Sequence, residues 1–168
     1  MSLLKGVALA VAAWQGKVIA DEAMEKTRLY NLGEALARQM GKPFLVVGGP
    51  YGTAGWRKLF NVKAHPCGDL CLDINASACT GCPTLQADVR EIPLPSGFAG
   101  VALASHVLEH LPTVQDAMQA VWELRRVADH VLVAYPRKLN IIAQLHPDHH
   151  LWVWQEGDGS IMIQQRRR

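Results

Sequence analysis

The chain has 168 residues, of which 49% are hydrophobic and 19% are charged, as in a globular protein with a sizeable core. The formal net charge of +2 is too small to indicate nucleic acid as a partner. No apolar run reaches the roughly 18 residues that a membrane helix needs. Residues 5–14 faintly resemble a signal peptide but fit an Ala-rich helix equally well. We therefore expect a single cytoplasmic domain over residues 1–168 with no contact to a membrane.

The first part of the chain is predicted to be helical. Residues 2–15 are rich in Ala, Leu and Val, and apolar residues at three- and four-residue spacing indicate a second helix over Asp21–Met40. The glycine that follows, two residues before a proline, is a helix stop signal. These elements make up an N-terminal helical segment over residues 1–41.

Strand and helix patterns alternate over residues 43–136. Continuous apolar runs are typical of strands that are buried on both faces, whereas apolar residues on one face indicate helices. The predicted strands are 44–47, 70–74, 85–89, 101–104 and 130–134, and the predicted helices are 53–60, 113–127 and 137–145. This alternation indicates an α/β fold of the doubly wound, Rossmann-like kind with a mostly parallel sheet.

A β-hairpin is predicted to close the chain within residues 146–165. The turn-forming residues Glu156–Gly159 separate two strand-like runs, 151–155 and 160–164. Sheets of this class often carry one antiparallel edge, and we expect the hairpin to supply it.

Glycines follow the first predicted strand, and acids lie at the carboxyl ends of the second and third, where open parallel sheets bind their ligands. The glycines at positions 48, 49 and 52 let the backbone approach a ligand closely. Asp73, 25 residues after Gly48, could accept hydrogen bonds from both hydroxyls of a ribose. Asp88 could accept from an exocyclic amine. Each aspartate has an alternative interpretation as a turn or cap residue.

The fourth strand leads into Ser105 and His106, and this junction is a second predicted site. His106, Glu109 and His110 also have the H-x-x-E-H spacing of some metalloproteases. Because the motif follows a strand in an α/β chain, we interpret the spacing as incidental and assign no metal ligand. A second histidine patch over residues 146–150 is interpreted as an exposed loop, with a divalent metal site as the alternative.

Four cysteines lie within 16 residues, at positions Cys67, Cys71, Cys79 and Cys82. Their spacing is not a usual zinc spacing, and Cys71 lies in an apolar run where a thiol is ordinarily part of the core. We therefore expect reduced thiols. A structural zinc site, and a redox pair formed by the C-x-x-C motif, are the alternatives.

Three segments carry a resemblance to a known family. The letters A-D-V-R-E-I-P-L-P over 87–95, the segment 101–111 ending S-H-V-L-E-H-L, and V-W-E-L-R-R-V over 121–127 resemble the class I S-adenosylmethionine-dependent methyltransferases of the small type 11 kind. The resemblance covers about residues 43–136. It implies S-adenosylmethionine as the cofactor, a small-molecule acceptor and the Rossmann-like fold described above.

The resemblance implies cofactor contacts at the ends of the first four strands, from Gly48, Gly49, Gly52, Asp73, Ile74, Asp88, Val89, Ser105 and His106. The glycines would cradle the methionine part, Asp73 would hold the ribose hydroxyls, and Ile74 would pack on the adenine. Asp88 and Val89 would flank the adenine amine and ring. Ser105 and His106 would line the sulfonium side.

Two positions depart from the family pattern. Val46 stands where relatives usually carry an acid, and Pro50 stands where they usually carry glycine. Proline removes a backbone donor and restricts φ. These departures leave a catalytically degenerate binding module as an alternative to an enzyme.

His106 is the candidate catalytic base for an acceptor that must lose a proton, because imidazole ordinarily titrates near neutrality. The N-terminal helices are expected to form a lid or the face of a homodimer.

Overall fold

The computed structural model describes residues 3–52 and 59–167, so most of the helix predicted over 53–60 lies outside the described residues. The helices are α1 (Leu3–Met40), α2 (Val114–Val127) and α3 (Ile141–Leu145), and short 3-10 turns span Ala76–Cys79 and Leu108–His110. The strands are β1 (Phe44–Val47), β2 (Leu70–Asp73), β3 (Thr84–Gln86), β4 (Ala99–Ser105), β5 (Ala128–Ala134), β6 (Leu151–Gln155) and β7 (Ile161–Gln165).

Five strands form one sheet in the order β3-β2-β1-β4-β5, and every pairing in it is parallel. The predicted α/β fold is confirmed. The predicted antiparallel edge is wrong, because β6 and β7 pair only with each other. Leu151 and Val153 of the hairpin are buried in the core beside α2, so the hairpin covers the sheet assembly instead of extending it.

The sheet is covered on both faces, which explains its continuous apolar strands. All seven residues of β4 are buried. Leu45, Val47, Ala102 and Ala104 belong to the cluster that includes the apolar face of α2. Their neighbours Phe44, Val46, Val101 and Leu103 belong to a second cluster with residues of α1. Alternate side chains therefore meet different helices.

The N-terminal segment is one helix of 38 residues, and the predicted break between two helices is wrong. Gly16 lies inside α1 with open space around its Cα. A glycine there weakens a helix by about 1 kcal/mol but does not end it. The stop after Met40 is confirmed.

The middle of α1 is anchored to the segment that precedes α3. Gln15 donates to the Leu139 carbonyl and accepts from the Ile141 N–H, and the Glu22 carboxylate accepts from the Arg137 N–H. The Glu22 carboxylate also accepts from the side-chain amide of Asn140. Asn140 in turn caps α3 by accepting from the Ala143 N–H, so the helix begins after Asn140 and the predicted start at residue 137 is wrong.

The first turns of α1 expose large apolar side chains, among them Leu4, Val7 and Leu9. The homodimer through these helices stays a prediction. Within the described part of the chain, no helix has the length and apolarity to cross a membrane.

All four cysteines form disulfide bonds, Cys67 with Cys82 and Cys71 with Cys79. The expectation of reduced thiols is therefore wrong, and the C-x-x-C pair is not bonded within itself. One bridge joins Cys71 of β2 to Cys79 of the 3-10 turn, and the other joins Cys67, which precedes β2, to Cys82 in the loop after that turn. Because disulfides persist mainly in oxidising compartments, they do not favour the cytoplasmic location, which stays a prediction.

Candidate functional site

A cavity of about 800 Å³ lies at the carboxyl ends of the central strands. Residues that follow β1, β2 and β4 line it, and Ile19, Glu22 and Lys26 of α1 form part of its wall. The strand order reverses between β1 and β4, and this switch point is where open α/β sheets bind ligands. The volume lies within the range of small-molecule and cofactor sites.

The glycine loop after β1 packs tightly against its neighbours. A Cβ on Gly48, whose φ is +95°, would lie 2.5 Å from the Ser105 carbonyl oxygen. A Cβ on Gly49 would lie 2.4 Å from the Ala78 carbonyl oxygen. Both positions therefore require glycine so that the loop can reach the cavity wall. Gly52 also lines the cavity.

Asp73 ends β2 at the cavity wall and braces the glycine loop. Its Oδ2 accepts from the Gly49 N–H at 2.7 Å, and its Oδ1 accepts from the Asn75 N–H at 2.8 Å. Each carboxylate oxygen retains further acceptor capacity. The neighbouring Ile74 is 69% exposed at the same wall, which leaves its side chain free to cover a flat ring.

Asp88 lies in the turn after β3 and not within the strand. Arg90 engages both of its carboxylate oxygens, with the shortest contact at 2.6 Å, and Arg90 also bonds Asp116. The hydrogen bond from Arg90 holds the pKa of the Asp88 carboxyl below its usual range. The adenine-amine role of Asp88 stays a prediction, and Val89 beside it is buried.

Ser105 and His106 form the end of β4 and line the cavity. His106 has a φ of +53°, a conformation that non-glycine residues rarely adopt. Its Nδ1 lies 3.1 Å from Oε1 of Glu109. A carboxylate that accepts at Nδ1 leaves the lone pair of the imidazole on Nε2. His106 and Glu109 therefore form an oriented base with its partner.

Glu109 is 1% exposed. Burial raises the pKa of its carboxyl, but the hydrogen bond from His106 and the nearby charge of His106 and His110 outweigh burial and hold the pKa below its usual range. Its second oxygen, Oε2, has no hydrogen-bond partner among the described residues. An ionised carboxylate in this position keeps His106 in the orientation described above.

Three histidines that the sequence places in two separate motifs meet at the cavity wall. His110 from the H-x-x-E-H motif lies beside His146 and His149, with ligand atoms all within 4.8 Å of one another. The interpretation of residues 146–150 as an exposed polar loop is wrong for His149, which is 7% exposed. The i, i+3 spacing of His146 and His149 was the available signal, but nothing local indicated His110 as their neighbour.

The stability of the metal-free protein is expected to fall as the pH falls from 6.5 to 4. Burial lowers the pKa of His149 from 6.5 to about 4; Glu109 opposes this shift, and His110 and His146 act in the same direction as burial. In this window the unfolded chain binds a proton that the folded chain does not, so folding loses up to roughly 3 kcal/mol. Urea denaturation in a chelating buffer measures this loss.

The matched variant for that measurement is His149→Gln, which keeps a side-chain N–H donor for the Ala143 carbonyl that His149 contacts. The difference in unfolding free energy between wild type and variant should change across this window and be constant below it. Parallel curves for the two proteins would show that His149 does not carry the effect.

The contacts of Val46 and Pro50, the two positions that depart from the family pattern, are visible in the structure. Val46 is fully buried in the apolar cluster with Tyr30 and Phe44, so no acid acts from that position. The side-chain bond to the glycine loop comes from Asp73. Pro50 has no N–H, but its carbonyl accepts from the Ala64 N–H at 2.7 Å and so connects the loop to the following segment.

Comparisons with known proteins extend these observations. A family model described as "Methyltransferase domain" matches residues 68–130. No curated protein matches the sequence significantly.

Two solved structures show weak similarity at 14% identity. A chain from the complex between the Haloferax volcanii Trm112 methyltransferase activator and a chain described as a methyltransferase has a TM-score of 0.35 and covers 51% of this chain. This chain spans only 40% of that one. The PH0226 protein from Pyrococcus horikoshii OT3 has a TM-score of 0.44, over 82% of this chain and 70% of its own length. At these scores neither similarity supports an argument about function.

The family match includes β2, β3 and β4 and ends within β5. It contains Asp73, Asp88 and the Ser105–His106 junction. The resemblance of this chain to the class I methyltransferases is therefore confirmed over residues 68–130, the part that is similar to the methyltransferase domain.

Proposed function

We propose that this chain acts as a single-domain, S-adenosylmethionine-dependent methyltransferase on a small-molecule acceptor. The observation that carries the proposal is the cavity at the β1/β4 switch point, where the glycine loop meets Asp73 and His106, two residues of the segment that matches the methyltransferase domain. Methyl transfer is a displacement at an activated sulfonium, so the protein has mainly to bind and orient the reactants.

The residues present fit such a cofactor. The volume of about 800 Å³ can hold a nucleoside with an amino-acid tail together with an acceptor. Asp73 has acceptor capacity left for ribose hydroxyls, and Ile74 offers an exposed apolar surface to an adenine. The Gly48–Gly52 loop would face the methionine part. When bound, the cofactor supplies the electrophilic methyl group.

His106 and Glu109 are the proposed proton-handling pair. Glu109 accepts from Nδ1 of His106, so Nε2 is the atom that would take a proton from a hydroxyl or amine acceptor. The buried carboxylate then stabilises the imidazolium. Ser105 lies beside His106 at the same wall and would help to orient the acceptor.

The second candidate function is a binding module that has lost catalysis. Val46 favours it, because an apolar side chain packed against Tyr30 and Phe44 cannot supply the acid that relatives carry at this position. Pro50 favours it as well, because it removes one backbone donor from the loop. Such a module would still bind a nucleoside but would not transfer a methyl group.

Titration calorimetry with S-adenosylmethionine and with S-adenosylhomocysteine tests the proposal. We expect one site per chain with a dissociation constant in the micromolar range, and a rise in melting temperature from the same ligands. No detectable binding at high micromolar concentration would overturn the enzyme proposal. Binding without transfer of a labelled methyl group to any member of a panel of hydroxyl, amine and thiol acceptors would favour the module.

A further inference from the structure

We propose that His110, His146 and His149 bind one divalent transition-metal ion of the zinc class at the wall of the large cavity. The three residues come from different places in the fold: His110 ends the 3-10 turn after β4, His146 follows α3, and His149 lies in the loop before β6. Their ligand atoms all lie within 4.8 Å of one another, and their ring centroids are 4.4 to 5.5 Å apart.

In two of the three histidines, the contact at Nδ1 leaves Nε2 available as a metal ligand. Nδ1 of His110 lies 3.1 Å from the Asp148 carbonyl oxygen, and Nδ1 of His149 lies 3.1 Å from the Ala143 carbonyl oxygen. Because a carbonyl only accepts, both Nδ1 atoms carry the proton and both Nε2 atoms carry a lone pair. A backbone carbonyl on the far nitrogen is the usual support of a metal-binding histidine.

The charge balance around the cluster also favours a cation. Glu109 precedes His110 in the sequence and interacts electrostatically with both His110 and His149. It is fully buried, and its Oε2 has no hydrogen-bond partner among the described residues. A buried carboxylate with an unpartnered oxygen is costly. A dication held by three neutral imidazoles would offset that cost.

The donor set selects the class of metal. Imidazole nitrogens suit zinc, cobalt, nickel and copper, whereas magnesium and calcium require oxygen ligands. Three histidines with a fourth, exchangeable position form the pattern of catalytic zinc sites. The three histidines line the same cavity as Ser105 and His106. A fourth position there would be open to an acceptor oxygen or sulfur, and this role, unlike metal binding itself, rests on the proposed function.

Metal binding requires a small rearrangement. A zinc ion about 2.0–2.1 Å from each nitrogen brings the nitrogens to about 3.4 Å of one another. The rings of His146 and His149 are stacked at 20°, so one of them must rotate to point at a shared ion. His146 is the less restrained of the two, because its Nδ1 only accepts a 3.2 Å bond from the Asp148 N–H.

The test uses the untagged full chain, since a polyhistidine tag would itself bind metal, under non-reducing conditions and after dialysis against a chelator. We expect zinc to bind at one ion per chain by calorimetry, and cobalt to give the visible absorption bands of a four- or five-coordinate site. His110→Ala and His146→Ala should each weaken zinc binding at least about tenfold. His130→Ala on the exposed surface of β5 should leave it unchanged.

Variants that fail to fold are recognised by circular dichroism, and His110→Gln and His146→Gln then replace them. The absence of saturable one-to-one binding to the wild type, or equal affinities in wild type and the His110 and His146 variants, would overturn the site. Cofactor titrations on the same samples separate the proposals. A wild type that binds S-adenosylmethionine but not zinc contradicts only the metal site. A wild type that binds zinc but not S-adenosylmethionine contradicts only the proposed function.

Discussion

Replacing Asp73 by alanine is expected to weaken S-adenosylmethionine binding by about 100-fold. The carboxylate would lose its bonds to the ribose hydroxyls, and hydrogen bonds to charged groups contribute about 1.5–3 kcal/mol each. The variant also frees the Gly49 N–H that Asp73 holds at 2.7 Å. Calorimetric titration of the wild type, Asp73→Ala and Asp73→Asn measures the effect, with the asparagine variant expected to lie between the other two.

Asp73 can affect cofactor affinity through the ribose hydroxyls or by holding the glycine loop, and the two effects can be measured separately. The wild type should prefer S-adenosylhomocysteine to its 2′-deoxy analogue, and Asp73→Ala should lose that preference, as in a double-mutant cycle. Asp69→Asn is the matched control, because Asp69 also accepts a backbone N–H, from Phe44 at 2.8 Å, but at the opposite end of the sheet. An Asp73→Ala affinity within about threefold of the wild type would contradict the ribose role.

Replacing Arg126 by alanine is expected to destabilise the fold by about 3–5 kcal/mol, the usual cost of leaving a buried charge without its partner. Glu123 on α2 is 5% exposed, and Arg126 donates to both of its carboxylate oxygens. Arg126 also donates to the carbonyls of Ile92 and Leu94, while Glu123 accepts the Ile92 N–H. The pair thus fastens the loop after Val89 to α2.

Urea denaturation of the Arg126→Ala variant measures this loss. Arg125→Ala is the control on the same helix, because Arg125 is exposed, and its unfolding free energy should stay within about 0.5 kcal/mol of the wild type. If Arg126→Ala loses less than about 1 kcal/mol of unfolding free energy, water must replace the hydrogen bonds that Arg126 donates to Glu123, which would contradict the prediction.

This ion pair also explains part of the family resemblance. The segment V-W-E-L-R-R-V contributes Glu123 and Arg126, whose observed contacts are to the loop and not to the cavity. In this chain, the residues that carry this part of the resemblance hold the loop after Val89 and do not line the cavity.

Local patterns predicted β1, β4, β5, α2 and the hairpin strands to within a few residues. Each of these elements has a continuous or periodic apolar run that reports its own burial. The boundaries of α1 and α3 were less accurate. Gly16 is tolerated inside a long helix. Asn140, which caps α3, is held by the carboxylate of Glu22, more than a hundred residues away in the sequence.

The residues of the candidate site also fall into two groups, those whose position at the cavity could be predicted from the sequence and those whose contacts could not. Asp73, Ser105 and His106 could be predicted because the carboxyl ends of parallel strands always meet at one edge of a sheet. The engagement of Asp88 by Arg90, the pairing of Cys71 with Cys79, and the joining of His110 to His146 and His149 could not be predicted. They depend on how loops from different strands pack.

The sequence alone therefore determined the α/β class, the strands of the parallel sheet and the residues at their ends, because apolar periodicity and turn chemistry are local properties. The tertiary structure decided which side chains share a partner. The histidine cluster exists only because the segment after α3 lies against the turn after β4, where the His150 N–H donates to the Glu109 carbonyl at 2.8 Å. Contacts between residues so far apart depend on three-dimensional packing that no local pattern encodes.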